Sequence, residues 1–304
     1  MAVQNEIWVR YIINRLWKDN AFLKNAFSDD QYVIGGKVVH IPNPGSKPTI
    51  VKNRNSFPAT AVQRTDTDVT YTLDRYTSDP THIEQADMQE ITYDKISSVF
   101  GDHAGELVET VANDMIIKWL TDIEAPNIRA TTGAATAGVV TGQTGNRKLV
   151  TVADIKAIQT IMNLQNVPKM DRFIMLESNM LDQLTNALSI NEAREFSSYY
   201  DAKEGVVGKL FGFTFYERST IAIAANTTNV IDALGASVGA ADNVVSMAWQ
   251  KDSVARALGE KKFFEKKDDP EYYGDVYSAL LRAGGRRRRE DDAGVVALIQ
   301  AASA

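Results

Sequence analysis

Residues 81–126 read THIEQADMQEITYDKISSVFGDHAGELVETVANDMIIKWLTDIEAP, a strand-like run that passes directly into one long amphipathic helix. Asp87 and Glu90 have the spacing of a capping box: a short polar side chain at the N-cap and a carboxylate three residues on satisfy backbone N–H groups that the first turn leaves unpaired. Apolar residues recur at Ile96, Val99, Phe100, Leu107, Val108, Val111, Met115, Trp119 and Ile123, which forms one stripe at a period of 3.6, and Pro126 closes the segment. From Asp87 to Ile123 such a helix is about 50 Å long at ~1.5 Å per residue. That is longer than a small globular domain needs, and it reads as a beam across an extended body.

Immediately upstream, residues 50–83 are polar without being low in complexity. Val69, Tyr71 and Leu73 alternate with Thr70, Thr72 and Asp74, the period of a strand with one wet face. With residues 59–64 as partner strand and 65–68 at the turn, the simplest structure is a long hairpin. A two-stranded hairpin is barely stable alone in water, so this one is expected to lie on its own body or on another subunit. Further back, residues 3–27 place Trp8, Ile12, Leu16, Trp17, Leu23 and Phe27 at helical spacing, an amphipathic arm whose apolar face can cover its own core or a neighbouring copy. Gly35, Gly36, Pro42, Pro44, Gly45 and Pro48 then punctuate the chain around a short strand at residues 37–41.

Downstream of the helix, residues 130–146 are rich in Ala, Gly and Thr and read as a loop. Helices are expected at 152–164 and 179–188, strands at 172–176 and 244–249, and a turn and strand punctuated by Gly208 and Gly212 at 206–216, with no repeat of fixed length. Residues 251–292 differ in composition, with 11 Lys/Arg against 10 Asp/Glu, yet Phe263, Phe264, Tyr272, Tyr273, Val276 and Tyr277 give strand signals within them. A folded surface that mixes both signs so densely suits register-setting ion pairs, within the chain or between copies.

Composition narrows the function. At 304 residues and 44% hydrophobic content the chain can bury a sizeable core without staples, and it has no cysteine, which excludes disulfides, thiolate metal sites and cysteine nucleophiles. Glu6, Arg10, Arg15 and Lys18 interrupt the N-terminal apolar residues, no run reaches the length of a membrane span, and cytoplasmic assembly is the simple reading. A formal net charge of −6 argues against a general nucleic-acid binder. The pentapeptide Gly235-Ala236-Ser237-Val238-Gly239 matches the G-x-S-x-G nucleophile elbow, but His40, His82 and His103 all precede Ser237, whereas the hydrolase order requires a histidine after it. His82 with Glu84 lacks further ligands for a metal, and His103 on the apolar side of the helix reads as a core histidine. Residues 137–148 lack the phosphate-loop pattern, and Gly205, Gly208 and Gly212 lack dinucleotide spacing. No catalytic, cofactor-binding or metal-binding residue is therefore expected. Arg286 to Arg289, followed at once by Glu290, Asp291 and Asp292, suit pairing between subunits before they suit phosphate.

An arm, a polar hairpin, a long helix, a mixed α/β block and charged returning strands, in that order, resemble the major capsid proteins of tailed bacteriophages. Detailed similarities are Asp79-Pro80, the run from Ile83 to Asp87, Asn166-Val167-Pro168 before a strand, Gly205 to Phe213 (GVVGKLFGF), and Gly284-Gly285 followed by residues 289–295. The resemblance implies an α+β chain of the Hong Kong 97-like capsid fold. Its parts would be an N-terminal arm (1–44), an extended E-loop (45–86), a peripheral domain with the spine helix (87–149), an axial domain (150–250) and charged strands returning to the periphery (251–304). It implies a structural protein of the virion capsid, assembled in the host cytoplasm as pentamers and hexamers into an icosahedral shell. Implied partners are a separate scaffolding protein, a portal and weakly held double-stranded DNA, with no membrane and no cofactor. Trp8, Trp17, Arg64, Asp66, Asp68, Arg75, Arg286, Arg288 and Asp291 are the residues expected to meet neighbouring copies. Lys47 and Lys52 fall in the loop, but nothing identifies an acceptor for covalent cross-linking. The alternatives are an encapsulin-like compartment shell and, in another class, a soluble serine hydrolase using Ser237.

Overall fold

A computed structural model describes residues 2–34, 37–43, 50–55, 57–58, 61, 63, 67–84, 95–138, 140, 142–225, 231–232, 239–289 and 291–303. Five helices lie among them: α1 (Ala2–Asp19), α2 (Lys95–Leu120), α3 (Val152–Leu164), α4 (Ser178–Ala187) and α5 (Ile190–Ser197). The long helix of the sequence reading is α2, 26 residues and about 39 Å. Its buried face, Ala104, Leu107, Val108, Val111, Ala112, Met115, Ile116, Trp119 and Leu120, follows the expected stripe. It ends at Leu120, three residues before the expected Ile123, because Asp122 takes φ +54, which a helix cannot continue through. Asp87 and Glu90 lie outside the described residues.

An eight-stranded sheet forms the centre. Strand Arg172–Glu177 pairs in parallel with Phe213–Arg218 and antiparallel with Asn243–Gln250, which in turn pairs antiparallel with Val295–Ile299. Both faces are covered, so these strands are buried along almost their whole length. Because side chains alternate across a strand, one set of residues (Phe173, Met175, Val245, Met247, Trp249, Val295, Ala297) joins the core beneath α2. The other set (Ile174, Leu176, Val244, Ala248, Val296, Leu298) joins a second core under α3, α4 and α5. Single strands thus build two cores.

The first core centres on aromatic rings. Trp119 of α2 and Trp249 of the sheet have ring centroids 6.2 Å apart, Phe173 lies 5.5 Å from Trp249, and Phe22 meets Trp119 edge-on at 6.3 Å. The two indoles are anchored by donating to Ala255 O (3.1 Å) and Asn25 O (3.0 Å). Helix α1 packs on its own chain through buried Ile12 and Leu16, and Arg15 donates to Gly101 O of α2 at 2.5 Å.

The second large sheet is a long hairpin, Val254–Asp269 with Gly274–Arg287, edged successively by Asp74–Thr77 and Thr81–Glu84. Gly284-Gly285 has a steric reason here. A Cβ on Gly285 would stand 2.7 Å from Met115 Sδ and 3.1 Å from Trp119 Nε1, and one on Gly284 would stand 2.7 Å from Leu73 Cδ2. The pair lets α2 and the preceding strands sit directly on the hairpin.

The expected partner of the alternating strand is corrected. Strand Thr67–Thr72 pairs with Val38–Asn43, in register from Asn43↔Thr67 to Val38↔Thr72, in place of residues 59–64. The short strand expected at residues 37–41 is the partner, and the loop that joins the two strands is longer than a tight hairpin turn. Residues 130–146 contain strand Ala135–Ala137, which pairs with Asn146–Lys148, so that segment is more ordered than a plain loop.

Helix α3 occupies the residues read from the sequence, and a capping box of Thr151 with Asp154 starts it. Asp154 is fully buried and also accepts from Thr132 N (3.2 Å), Thr132 Oγ1 (2.7 Å) and Arg129 (3.1 Å), which ties the helix start to the preceding segment. Asp154→Asn keeps the shape but loses the charge and an acceptor, so it should lower stability by about 2 kcal/mol. Urea unfolding of the soluble subunit checks this; an unchanged midpoint would show that the network contributes nothing.

Candidate assembly surfaces

The residues expected to meet neighbours have different settings. Trp17 is half-buried with the Arg256 guanidinium 4.2 Å from its ring, while the side chain of Trp8 lies outside the described residues, as do Arg64 and Asp66. Asp68 sits opposite Pro42 in the Thr67–Thr72 strand, with its side chain likewise outside the described residues. Arg75 is exposed on the strand opposite Arg282.

The arginine run is engaged within the chain. Arg286 donates to the Arg287 carbonyl (2.8 Å), and Arg288 places its guanidinium 3.8 Å from the Phe27 ring and donates to Asp252 O at 3.3 Å. Asp291 takes two hydrogen bonds from Arg289, at 2.9 and 2.6 Å, which hold its carboxyl below the usual carboxylate range. Sequence reasoning did not single out Arg287. Its guanidinium donates to the Trp119, Thr121 and Asp122 carbonyls at the end of α2 and pairs with Asp292. Asp292 is 5% exposed and also accepts from Glu124 N at 3.2 Å. One arginine thereby holds the Trp119 carbonyl of the last turn and the two carbonyls just beyond the helix, where the helix dipole also favours positive charge.

Large apolar side chains are exposed in a few places. Ile50 (92%) and Phe57 (80%) flank Lys52 and Arg54, and Tyr272 and Tyr273 stand at the turn of the long hairpin, with Phe264 further back along its first strand. Tyr199 and Tyr200 follow α5. Between α2 and residues 75–81 runs a groove of about 680 Å³ with Val99 and Leu107 among its apolar residues and Asp79, Asp102, His103 and Glu106 among its polar ones. Burial holds the His103 imidazole below its ordinary pKa, against an opposing pull from Asp102.

Chemistry has less to stand on. His40, His82 and His103 are spread over strand Val38–Asn43, strand Thr81–Glu84 and α2, and His82 lies 5.6 Å from the Tyr272 ring. Ser237 lies outside the described residues. Among the described residues no group of three or more His, Cys, Asp or Glu is placed to hold a metal ion, and no helix is long and apolar enough to cross a membrane.

No protein-family model matches the chain, and no curated protein sequence does. Solved structures do. The capsid of the cyanophage P-SCSP1u is 17% identical with a TM-score of 0.63, covering 92% of this chain and 87% of that one. The capsid of Ralstonia phage GP4 is 10% identical with a TM-score of 0.64, covering 92% and 88%. The head structure of Helicobacter pylori bacteriophage KHP40 is 13% identical with a TM-score of 0.61, covering 94% and 92%. The chain therefore has the fold of bacteriophage capsid proteins, α+β in class. That is the Hong Kong 97-like architecture the resemblance led us to expect, and it extends over nearly all of both chains.

Proposed function

We propose that this chain is the major capsid protein of a tailed phage, a structural protein that assembles as pentamers and hexamers into an icosahedral shell enclosing double-stranded DNA. The observation that carries the reading is the match to capsid and head structures along more than nine-tenths of the chain. A fold alone does not fix function, so the surfaces matter too. Exposed apolar side chains on residues 50–57 and at the hairpin turn suit burial against other copies.

In this reading residues 1–44 form the arm and residues 45–86 the extended loop. α2 with the long hairpin forms the peripheral domain, and residues 150–250 form the axial domain. Trp8, Trp17, Arg64, Asp66, Asp68, Arg75, Arg286, Arg288 and Asp291 belong to contacts between copies. A scaffolding protein and a portal act as separate partners, and the modest negative charge keeps contact with packaged DNA weak. Nuclease treatment of particles isolated from producing cells tests the content: protected double-stranded DNA is expected. Particles filled with an enzyme and free of DNA would favour an encapsulin-like compartment.

A further inference from the structure

A buried acid sits where three parts of the subunit meet. Asp29 follows the short strand Phe27–Ser28, which pairs in parallel with Ala255 and Arg256 at the start of the long hairpin, and its N–H donates to Arg256 O at 2.8 Å. Its side chain is fully buried. Oδ2 accepts from the Tyr71 hydroxyl at 3.1 Å, while Oδ1 has no hydrogen-bond partner among the described residues. A charged carboxylate short of a partner in a dry site is costly, and wetting it relieves the cost. Tyr71 belongs to the strand pair Val38–Asn43 and Thr67–Thr72, which rests on the long hairpin through a small core of Val39, Leu73 and Ala257. So little apolar burial leaves the polar contact with Asp29 a large share of what seats the pair.

We infer that Asp29 is a proton-operated latch: with its carboxyl protonated the strand pair lies firmly on the long hairpin, and with it charged the pair lifts more readily and wets the acid. The device belongs to the subunit and stands whether or not a shell forms. Its charged and titratable neighbours come from every element around it. Asp30 shares its turn but is exposed, and accepts from Leu258 N (2.7 Å) and Ser28 Oγ (2.8 Å). Arg256 on the first hairpin strand is engaged by Asp30 at 3.6 Å and by the Trp17 ring. Arg286 ends the second hairpin strand and Arg288 follows it. His40 pairs opposite Thr70, so it lies on the other face of the strand pair from Tyr71. Burial raises the Asp29 carboxyl above the ordinary carboxylate range, with Asp30 adding to the rise, against the pull of the Tyr71 hydrogen bond and of the Arg288 and Arg286 charges. Burial also raises the Tyr71 phenol, which keeps it a donor. An acid that holds its proton more tightly in the seated state favours that state as pH falls through the raised pKa, and the advantage is lost as pH climbs above it.

Amide hydrogen exchange of the full chain, corrected for the intrinsic effect of pH, reads the seating at Val38–Asn43 and Thr67–Thr72. Opening of the strand pair should be several-fold rarer in mild acid than at neutral pH. Asp29→Asn, which removes the charge and nearly keeps the shape, should hold opening near the acid level at both. Tyr71→Phe should move the midpoint of the change to higher pH, because the bond it loses favours the charged carboxylate. Circular dichroism checks the fold of each variant, and Tyr71→Phe carries the test by itself if Asp29→Asn fails to fold. Equal opening at both pH values in the unaltered chain, a pH dependence that survives Asp29→Asn, or an unmoved midpoint in Tyr71→Phe would overturn the latch.

Discussion

Arg287→Ala should lower the stability of the subunit by about 3–5 kcal/mol. The guanidinium joins three carbonyls at the end of α2 to the buried carboxylate of Asp292, so its removal leaves an uncompensated buried charge and an uncapped helix together. Thermal unfolding should show a fall in Tm on the order of 10 °C. Replacing both partners, Arg287→Leu with Asp292→Asn, should recover part of the loss, because the isolated carboxylate is the costly species and Asn tolerates the positive φ at that position. A Tm within a degree or so of the parent for Arg287→Ala would mean that the contacts seen at the helix end contribute little.

The second large effect is on assembly. Strands Val38–Asn43 and Thr67–Thr72 end in register at Asn43↔Thr67, so residues 44–66 can be replaced by Asn-Gly, which closes two paired strands with a type I′ turn. The shortened subunit should keep its fold, since Val39, Leu73 and Ala257, the small core beneath these strands, are retained. It should form no shells, because the exposed segment with Ile50 and Phe57 is gone. Circular dichroism with sedimentation velocity reads both properties. An unfolded subunit would place the segment in the subunit's own core, and normal shells would remove it from assembly. A deletion that reaches further along the chain, from Asn55 to Tyr76, is a poor version of this test. It removes strand Thr67–Thr72 and the Tyr76 hydroxyl that bonds Asp114 on α2.

The fold was legible where periodicity is local. The stripe of α2 and the limits of α3 depend on residues within one helix, and the structure places both close to expectation. The largely apolar runs of the central sheet read as strands, and burial on both faces explains why they lack alternation in sequence. Helix α5 was overlooked although Ser189 and Glu192 form a capping box that the sequence displays. The partner of strand Thr67–Thr72 was misassigned for a different reason. Sheet pairing is non-local, and a strand between Gly36 and Pro44 reads as isolated until a partner across the intervening loop is considered. Arg287 could not have been separated from its three neighbours in sequence. Its role depends on where the end of α2 meets the end of the long hairpin, which no spacing records.

In the proposed function this subunit closes on copies of itself to form a shell. Negative-stain electron microscopy of the purified protein at high concentration tests that most directly, with sedimentation velocity on the same sample. Rings of five and six subunits and closed, evenly sized icosahedral particles are the predicted result. A protein that stays a monomer or dimer at every concentration, with no rings or shells on the grid, would contradict it.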